Sequence, residues 1–109
     1  MVLSFEVFGK VQGVMFRQTF IRGLIKRNLN GGATNISNKY KTVKISIEAE
    51  REEYILSLIN DLLELKVINS WNATIESIHK IDTIPISKHE VTTDNVDDYK
   101  WSSGVEFYF

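Results

Sequence analysis

The chain has 109 residues, a length suited to one domain with a small hydrophobic core, and we expect residues 1–109 to form that domain. Its composition, 43% hydrophobic and 25% charged, is ordinary for a soluble globular protein. The absence of cysteine excludes disulfide bonds and a thiolate nucleophile, and two histidines are too few for the usual zinc sites. We therefore expect neither a metal nor another cofactor.

The charges are divided unevenly along the chain. Residues 1–47 carry eight lysines and arginines and one acid, whereas residues 48–109 carry thirteen acids and five bases. The positive half favours an anionic ligand, although solvated surface lysines would explain it equally well. The N-terminus has the pattern of a strand and not of a charged and then apolar leader, which predicts a cytoplasmic protein without a membrane segment.

The first half of the chain predicts a strand, a loop, a helix and two further strands. "VLSFEVFGK" alternates between two faces as a strand does, and residues 9–14 form the loop. From about Phe16 the apolar residues recur every three or four positions, which is typical of an amphipathic helix. Asn28 suits the left-handed position at its end. "GATNIS" and "TVKISIEA" are predicted strands, joined by a polar turn at residues 38–41.

The second half predicts a helix and two strands. "EREEYILSLINDLLEL" is a helix with acids at its N-terminal end, and "WNATIESIHKI" is a strand. Residues 85–103 are expected to be a surface loop, and "VEFYF" a final strand in which the aromatic residues pack. The order β-α-β-β-α-β predicts an α+β sandwich: an antiparallel sheet with an extra C-terminal strand and two helices on one face.

The loop between the first strand and the first helix has the properties of an anion site. The first N–H groups of a helix lack partners, and the helix dipole favours negative charge there. Gly9 and Gly13 allow several N–H groups to converge, and Arg17, with no acid near it in the sequence, adds a guanidinium fork. A tight turn with a solvated Arg17 is the alternative interpretation. The nucleotide P-loop pattern is absent.

The string "GKVQGVMFR" strongly resembles the acylphosphatase signature, Gly-x-Val-Gln-Gly-Val-x-Phe-Arg. That family also carries an asparagine eighteen residues after the arginine, and "GGATN" places Asn35 there. The resemblance implies a ferredoxin-like fold, a phosphate-binding role for Arg17 and a water-positioning role for Asn35. It also implies a phosphate cradle formed by the backbone of Gln12, Gly13, Val14, Met15 and Phe16.

The resemblance implies metal-independent hydrolysis of small acyl phosphates to a carboxylate and inorganic phosphate, by in-line attack of water. The leaving carboxylate has a conjugate acid of pKa about 4 and needs no general acid. Phosphoryl transfer of this kind depends mainly on positioning and charge stabilisation. The chain departs from the family at Gly32 and Ala33, where Trp and Val are common, and this loss of packing is expected to loosen Asn35.

Two other functions are compatible with the sequence. One is an acylphosphatase-like domain with weak turnover that binds a phosphorylated or carbamoylated ligand. The other is a ferredoxin-like RNA-binding module, which is disfavoured because "TVKISIEA" has no aromatic residue for stacking on bases. We expect a monomer whose partners are the acyl phosphate and inorganic phosphate, with no nucleic acid.

Overall fold

The computed structural model describes residues 1–37, 39 and 41–109. Of the turn predicted at residues 38–41, Asn38 and Tyr40 lie outside the described residues. Over the described part, the chain forms two α-helices, five strands and two short 3-10 helices. They are β1 (Val2–Lys10), α1 (Phe16–Lys26), β2 (Asn30–Asn35), β3 (Thr42–Glu48), α2 (Glu52–Glu64), β4 (Thr74–Ile81) and β5 (Val91–Thr92), with 3-10 turns at Ile86–Lys88 and Val96–Asp98.

The strands form one sheet in the order β4-β1-β3-β2-β5, and each neighbouring pair is antiparallel. In β1 and β3, Phe5 is paired with Ile45 and Val7 with Val43, so these apolar side chains share a face. They belong to the core cluster that also contains Leu24 of α1. The predicted α+β sandwich is thus confirmed, and Asn28 takes the predicted left-handed conformation, with φ 56°.

The fifth strand lies earlier than the sequence predicted. Val91–Thr92 pairs with the edge of β2, whereas in "VEFYF" only Phe107 forms a bridge, with Asn69. The prediction of a strand at residues 105–109 is therefore wrong, and the expectation that its aromatic residues pack holds only for Phe109, because Phe107 and Tyr108 are exposed. Phe109 lies against α1, where its ring stacks on Phe20 at 6.2 Å between centroids.

Residues 82–92 cross the face of the sheet opposite the helices. The Ser46 hydroxyl donates a hydrogen bond to the carbonyl of Ile84 (2.7 Å), and the Ser4 hydroxyl accepts one from the Ile84 N–H (2.8 Å). His89 and Val91 are buried. The expectation of a surface loop for residues 85–103 is therefore wrong at residues 89–92, because Val91–Thr92 pairs with β2 as a strand and the His89 side chain packs on the second face.

Candidate active site

The loop between β1 and α1 alternates between left-handed and right-handed backbone conformations, as a backbone cradle for an anion does. Gly13 has φ 75° and Met15 has φ 59°, both in the left-handed region, and α1 begins at Phe16. In the described part of the chain, the N–H groups of residues 13–18 donate no hydrogen bond to another protein group. When successive residues alternate between these two conformations, their N–H groups point into one concave site, called a nest, which binds an anion. Met15 is not a glycine, so this conformation costs about 1–2 kcal/mol, as strained residues at functional sites often do.

Two side chains behind the cradle hold its carbonyl groups. The buried Asn69 donates through Nδ2 to the carbonyl of Val14 and to Thr19 Oγ1, at 2.8 Å each. The Thr19 hydroxyl donates to the carbonyl of Met15 at 2.7 Å. Because a trans peptide points its N–H away from its C=O, these bonds turn the following N–H groups of Met15 and Phe16 toward the opposite side. Asn69 was missed by the sequence analysis, since nothing in "ELKVINSW" relates it to a loop over fifty residues earlier.

Arg17 and Asn35 line the same small cavity as this loop. The cavity has a volume of about 120 Å³, and its remaining walls are Val11, Gly13, Met15, Phe16 and Trp101. Arg17 lies in the first turn of α1, and Asn35 is the last residue of β2. The sequence thus brings a guanidinium, a carboxamide and the start of a helix to one place.

Gln12 and Val14 do not line this cavity with their side chains. The Gln12 Nε2 donates to the carbonyl of Thr42 (2.8 Å) and to that of Ile36 (3.2 Å), which ties the loop to the β2–β3 connection. The Val14 side chain is buried in the core. These two residues can therefore serve an anion only through their main-chain N–H groups.

Arg17 has an acidic partner that the sequence did not reveal. Glu90 Oε1 lies 3.3 Å from Arg17 Nη1 and accepts a hydrogen bond from the Asn35 N–H at 2.9 Å. The Arg17 side chain is 25% exposed and that of Glu90 is 49% exposed. This partner is 73 residues away in the sequence and is brought in by β5, which pairs with β2 directly after Glu90.

His89 fills the space beside Gly32 on the second face of the sheet. A Cβ atom at Gly32 would approach the His89 ring to 2.7 Å at Cγ. The ring nitrogens bond the hydroxyls of Thr34 (Nδ1, 2.9 Å) and Ser46 (Nε2, 2.7 Å). Burial lowers the pKa of His89, against the raising effect of the neighbouring Glu90. The position expected to lack packing near Asn35 is thus covered by a buried, hydrogen-bonded imidazole.

The Asn35 side chain retains an unused acceptor. Among the described residues, its Oδ1 and the Oε1 of Gln18 are the buried side-chain atoms without a hydrogen-bond partner. An unpaired buried acceptor costs about 1–3 kcal/mol, which a purely structural asparagine would avoid.

Comparison with protein families identifies the family of this chain. A family model described as Acylphosphatase matches residues 3–95. The chain belongs to the acylphosphatase family. The match includes the cradle, Arg17, Asn35 and Glu90 but ends before Trp101, and it supports a hydrolase function on small acyl phosphates. Among proteins with curated descriptions, no match to this chain was found.

Other features of the structure do not compete with this site. A larger depression of about 620 Å³ is lined by residues that include Met1, Arg27 and Tyr54, away from the loop and the start of α1. Within the described residues, no group of three or more His, Cys, Asp or Glu side chains could hold a metal ion. In that same part, neither helix has the length and apolar character needed to cross a bilayer.

Proposed function

We propose that the protein is an acylphosphatase that hydrolyses the carboxyl–phosphate bond of small acyl phosphates without metal. The observation that carries this proposal is the shared cavity of Gly13, Met15, Arg17 and Asn35 at the start of α1. Its donors are cationic or neutral N–H groups, which suit the three oxygens of a phosphoryl group.

The cradle and Arg17 would bind the phosphoryl oxygens and stabilise the charge that redistributes over them in the transition state. Catalysis of phosphoryl transfer consists mainly of such positioning and electrostatic stabilisation. Arg17 has five N–H donors, so the contact of Nη1 with Glu90 leaves others for the substrate. Val14 and Gln12 contribute main-chain N–H groups, and the Gln12 side chain keeps the loop against the β2–β3 connection.

The carboxamide of Asn35 would hold the attacking water in line with the bond that breaks. The water oxygen forms the new P–O bond while the bond to the acyl oxygen breaks, and its electron pair leaves with the carboxylate. One water proton passes to a phosphoryl oxygen. Since the conjugate acid of the leaving carboxylate has a pKa of about 4, this oxygen departs without a proton donor.

The same site would bind the inorganic phosphate that the reaction releases, so phosphate is expected to inhibit competitively. We further expect the enzyme to act as a cytoplasmic monomer that needs no cofactor. Nucleic acid is not an expected partner, because β3 (Thr42–Glu48) offers no aromatic side chain on which a base could stack.

Hydrolysis of acetyl phosphate and benzoyl phosphate in EDTA tests this proposal. We expect wild-type turnover, and a loss of at least about 100-fold in both Arg17→Ala and Asn35→Ala, the scale of losing one charge-stabilising donor. Arg17→Ala should abolish phosphate binding and Asn35→Ala should largely retain it. Arg22→Ala is the matched control, because Arg22 lies on the same helix but pairs with Asp97 at 2.7 Å.

A folded wild-type protein that binds phosphate without turnover would overturn the enzyme proposal. It would favour the second function, a domain that binds a phosphorylated or carbamoylated ligand. The contact of Glu90 with Arg17 favours this alternative, because the carboxylate already neutralises part of the positive charge of the site.

A further inference from the structure

We propose that Glu90 is a positioning residue that holds Arg17 and the end of β2 in the geometry needed for hydrolysis. This inference rests on the proposed function. One carboxylate oxygen of Glu90 contacts both groups: Arg17 Nη1 at 3.3 Å and the Asn35 N–H at 2.9 Å. The residue that would bind phosphate and the residue that would orient water are thereby connected through a single atom.

The main chain of Glu90 is held on both sides, which distinguishes this contact from an ordinary surface ion pair. Its N–H donates to Thr34 Oγ1 at 3.0 Å, so it is tied to the residue before Asn35. Its carbonyl accepts hydrogen bonds from the Tyr99 hydroxyl (2.6 Å) and from Asn95 Nδ2 (3.0 Å). Exposed ion pairs contribute little because two free side chains must be ordered, and here the backbone of one partner is already fixed.

Restricting Arg17 has a direct catalytic consequence. An arginine side chain has considerable rotamer freedom, and misplacement of a catalytic group by about 1 Å can cost 100-fold in rate. Glu90 limits that freedom from the side of the guanidinium. It also fixes the backbone at Asn35, from which the carboxamide extends. A carboxylate repels a phosphate dianion beside it, so Glu90 lowers the affinity for the bound ground state while it keeps Arg17 in position for the reaction.

The proposal is tested by measuring turnover and phosphate affinity separately, because removing a positioning residue should lower the first and not the second. In Glu90→Gln, we expect kcat for acetyl phosphate to fall by about 10- to 100-fold. The inhibition constant of inorganic phosphate should stay unchanged or decrease, because the nearby negative charge is removed. Asp97→Asn is the matched control: it removes one carboxylate from the same segment, outside the cavity, and should leave both constants unchanged.

Other outcomes have different meanings. A kcat of Glu90→Gln within about twofold of wild type would overturn the proposal. Higher kcat/KM together with tighter phosphate binding would also overturn it, since Glu90 would then be a competitor for Arg17. Amide exchange of Asn35 provides a readout that needs no turnover: it should accelerate in Glu90→Ala, and an unchanged rate contradicts the contact. If the wild type lacks activity while this exchange accelerates, the proposed function fails and the contact stands.

A second observation concerns Trp101, which lies beyond the part of the chain that matches the family and yet lines the cavity. Its Nε1–H donates to the carbonyl of Val96 at 2.7 Å, and its ring packs against Tyr99 with centroids 5.4 Å apart. Together with Val11 and Met15 it gives the cavity an apolar wall. We infer that Trp101 selects acyl phosphates whose acyl group is flat and apolar, and this too rests on the proposed function.

The ratio of kcat/KM for benzoyl phosphate to that for acetyl phosphate tests the role of Trp101. Trp101→Ala should lower this ratio roughly tenfold, the scale of one aromatic contact, and Trp101→Phe should retain most of it. Trp71→Ala is the control, because Trp71 is not among the residues of the cavity wall. An unchanged ratio in Trp101→Ala would overturn the inference, also where activity on both substrates falls by the same factor.

Discussion

The cradle at the start of α1 and the segment of residues 82–101 both reach the same cavity, but they do so by different physical means. The cradle is local, because Gly13, Met15 and Arg17 are neighbours in the chain. The left-handed backbone conformations at Gly13 and Met15 and the geometry of the first turn of α1 determine where their donors point. The segment is non-local: Glu90 and Trp101 reach the site only because β5 pairs with the edge of β2 and the chain then turns back. A site built from neighbouring residues leaves a recognisable motif in the sequence, whereas contacts between residues far apart in the chain do not.

The largest expected effect comes from removing the support behind the cradle. In Asn69→Ala, the carbonyl of Val14 and the N–H groups of Trp71 and Ala73 lose their buried partner, so we expect a loss of about 3 kcal/mol in the free energy of unfolding. Phosphate affinity should fall with it, because the cradle amides lose their orientation. Urea denaturation and phosphate titration measure these effects.

Asn72→Ala is a suitable control for that variant, because Asn72 is exposed and lies in the same turn. Since Asn72 has φ 63°, a small loss of stability is expected there, without a change in phosphate affinity. Equal losses of phosphate affinity in the two variants would contradict the support by Asn69.

A smaller effect is expected at Gly23, where sequence and structure predict opposite signs. Helix propensity predicts that Gly23→Ala stabilises the protein by about 1 kcal/mol. In the structure, however, a Cβ at Gly23 would overlap the ring of Phe109, and overpacking costs about 1–3 kcal/mol. We therefore expect net destabilisation in thermal unfolding. The sign should reverse when Gly23→Ala is combined with Phe109→Ala, and stabilisation in the wild-type background would show that the ring moves away without cost.

The sequence predicted the parts of the site that depend on short-range geometry. The order of helices and strands followed from periodicity, and the resemblance to the acylphosphatase family implied the two residues that line the cavity together, Arg17 and Asn35. Both depend on contacts that the chain makes within one β-α-β unit, so the pattern and the structure agree.

The sequence could not predict the contacts that long-range packing creates. Glu90, in an acidic stretch, has no pattern that directs it toward Arg17, and the pairing follows from the strand register at Ala33 and Val91. The alternation of "VEFYF" is equally typical of a strand and of an extended chain packed on a helix. Only the position of Phe109 against α1 distinguishes the two.

A further difference between the two regions is expected in their response to pH. The pKa of His89 is lowered by burial, so the unfolded chain binds a proton more readily than the folded one. Stability is then fully present above the unfolded value of 6.5 and is lost as the pH falls below it toward the folded pKa. One such group contributes a slope of at most about 1.4 kcal/mol per pH unit.

Urea denaturation between pH 5 and 8 measures this slope, and His89→Gln should reduce it because glutamine keeps polar groups on the second face without titrating. His79→Gln is the matched control, since His79 is exposed on β4. An equal reduction in the two variants would exclude His89 as the source of the slope.

The smallest expected effect tests whether the segment of residues 82–101 acts through Glu90. Tyr99→Phe removes the hydroxyl that donates to the Glu90 carbonyl at 2.6 Å and retains the ring that packs on Trp101. A hydrogen bond of this kind contributes about 0.5–1.5 kcal/mol, so we expect a small loss of stability in thermal unfolding. If the segment holds Glu90 in place, kcat for acetyl phosphate should fall by a few-fold with phosphate affinity unchanged, in the direction expected for Glu90→Gln. Tyr99→Phe should have no such effect in a Glu90→Gln background, because the group it positions is already altered. Independent effects in the two backgrounds would mean that Tyr99 reaches the site by another route, for which Trp101 is the nearest candidate.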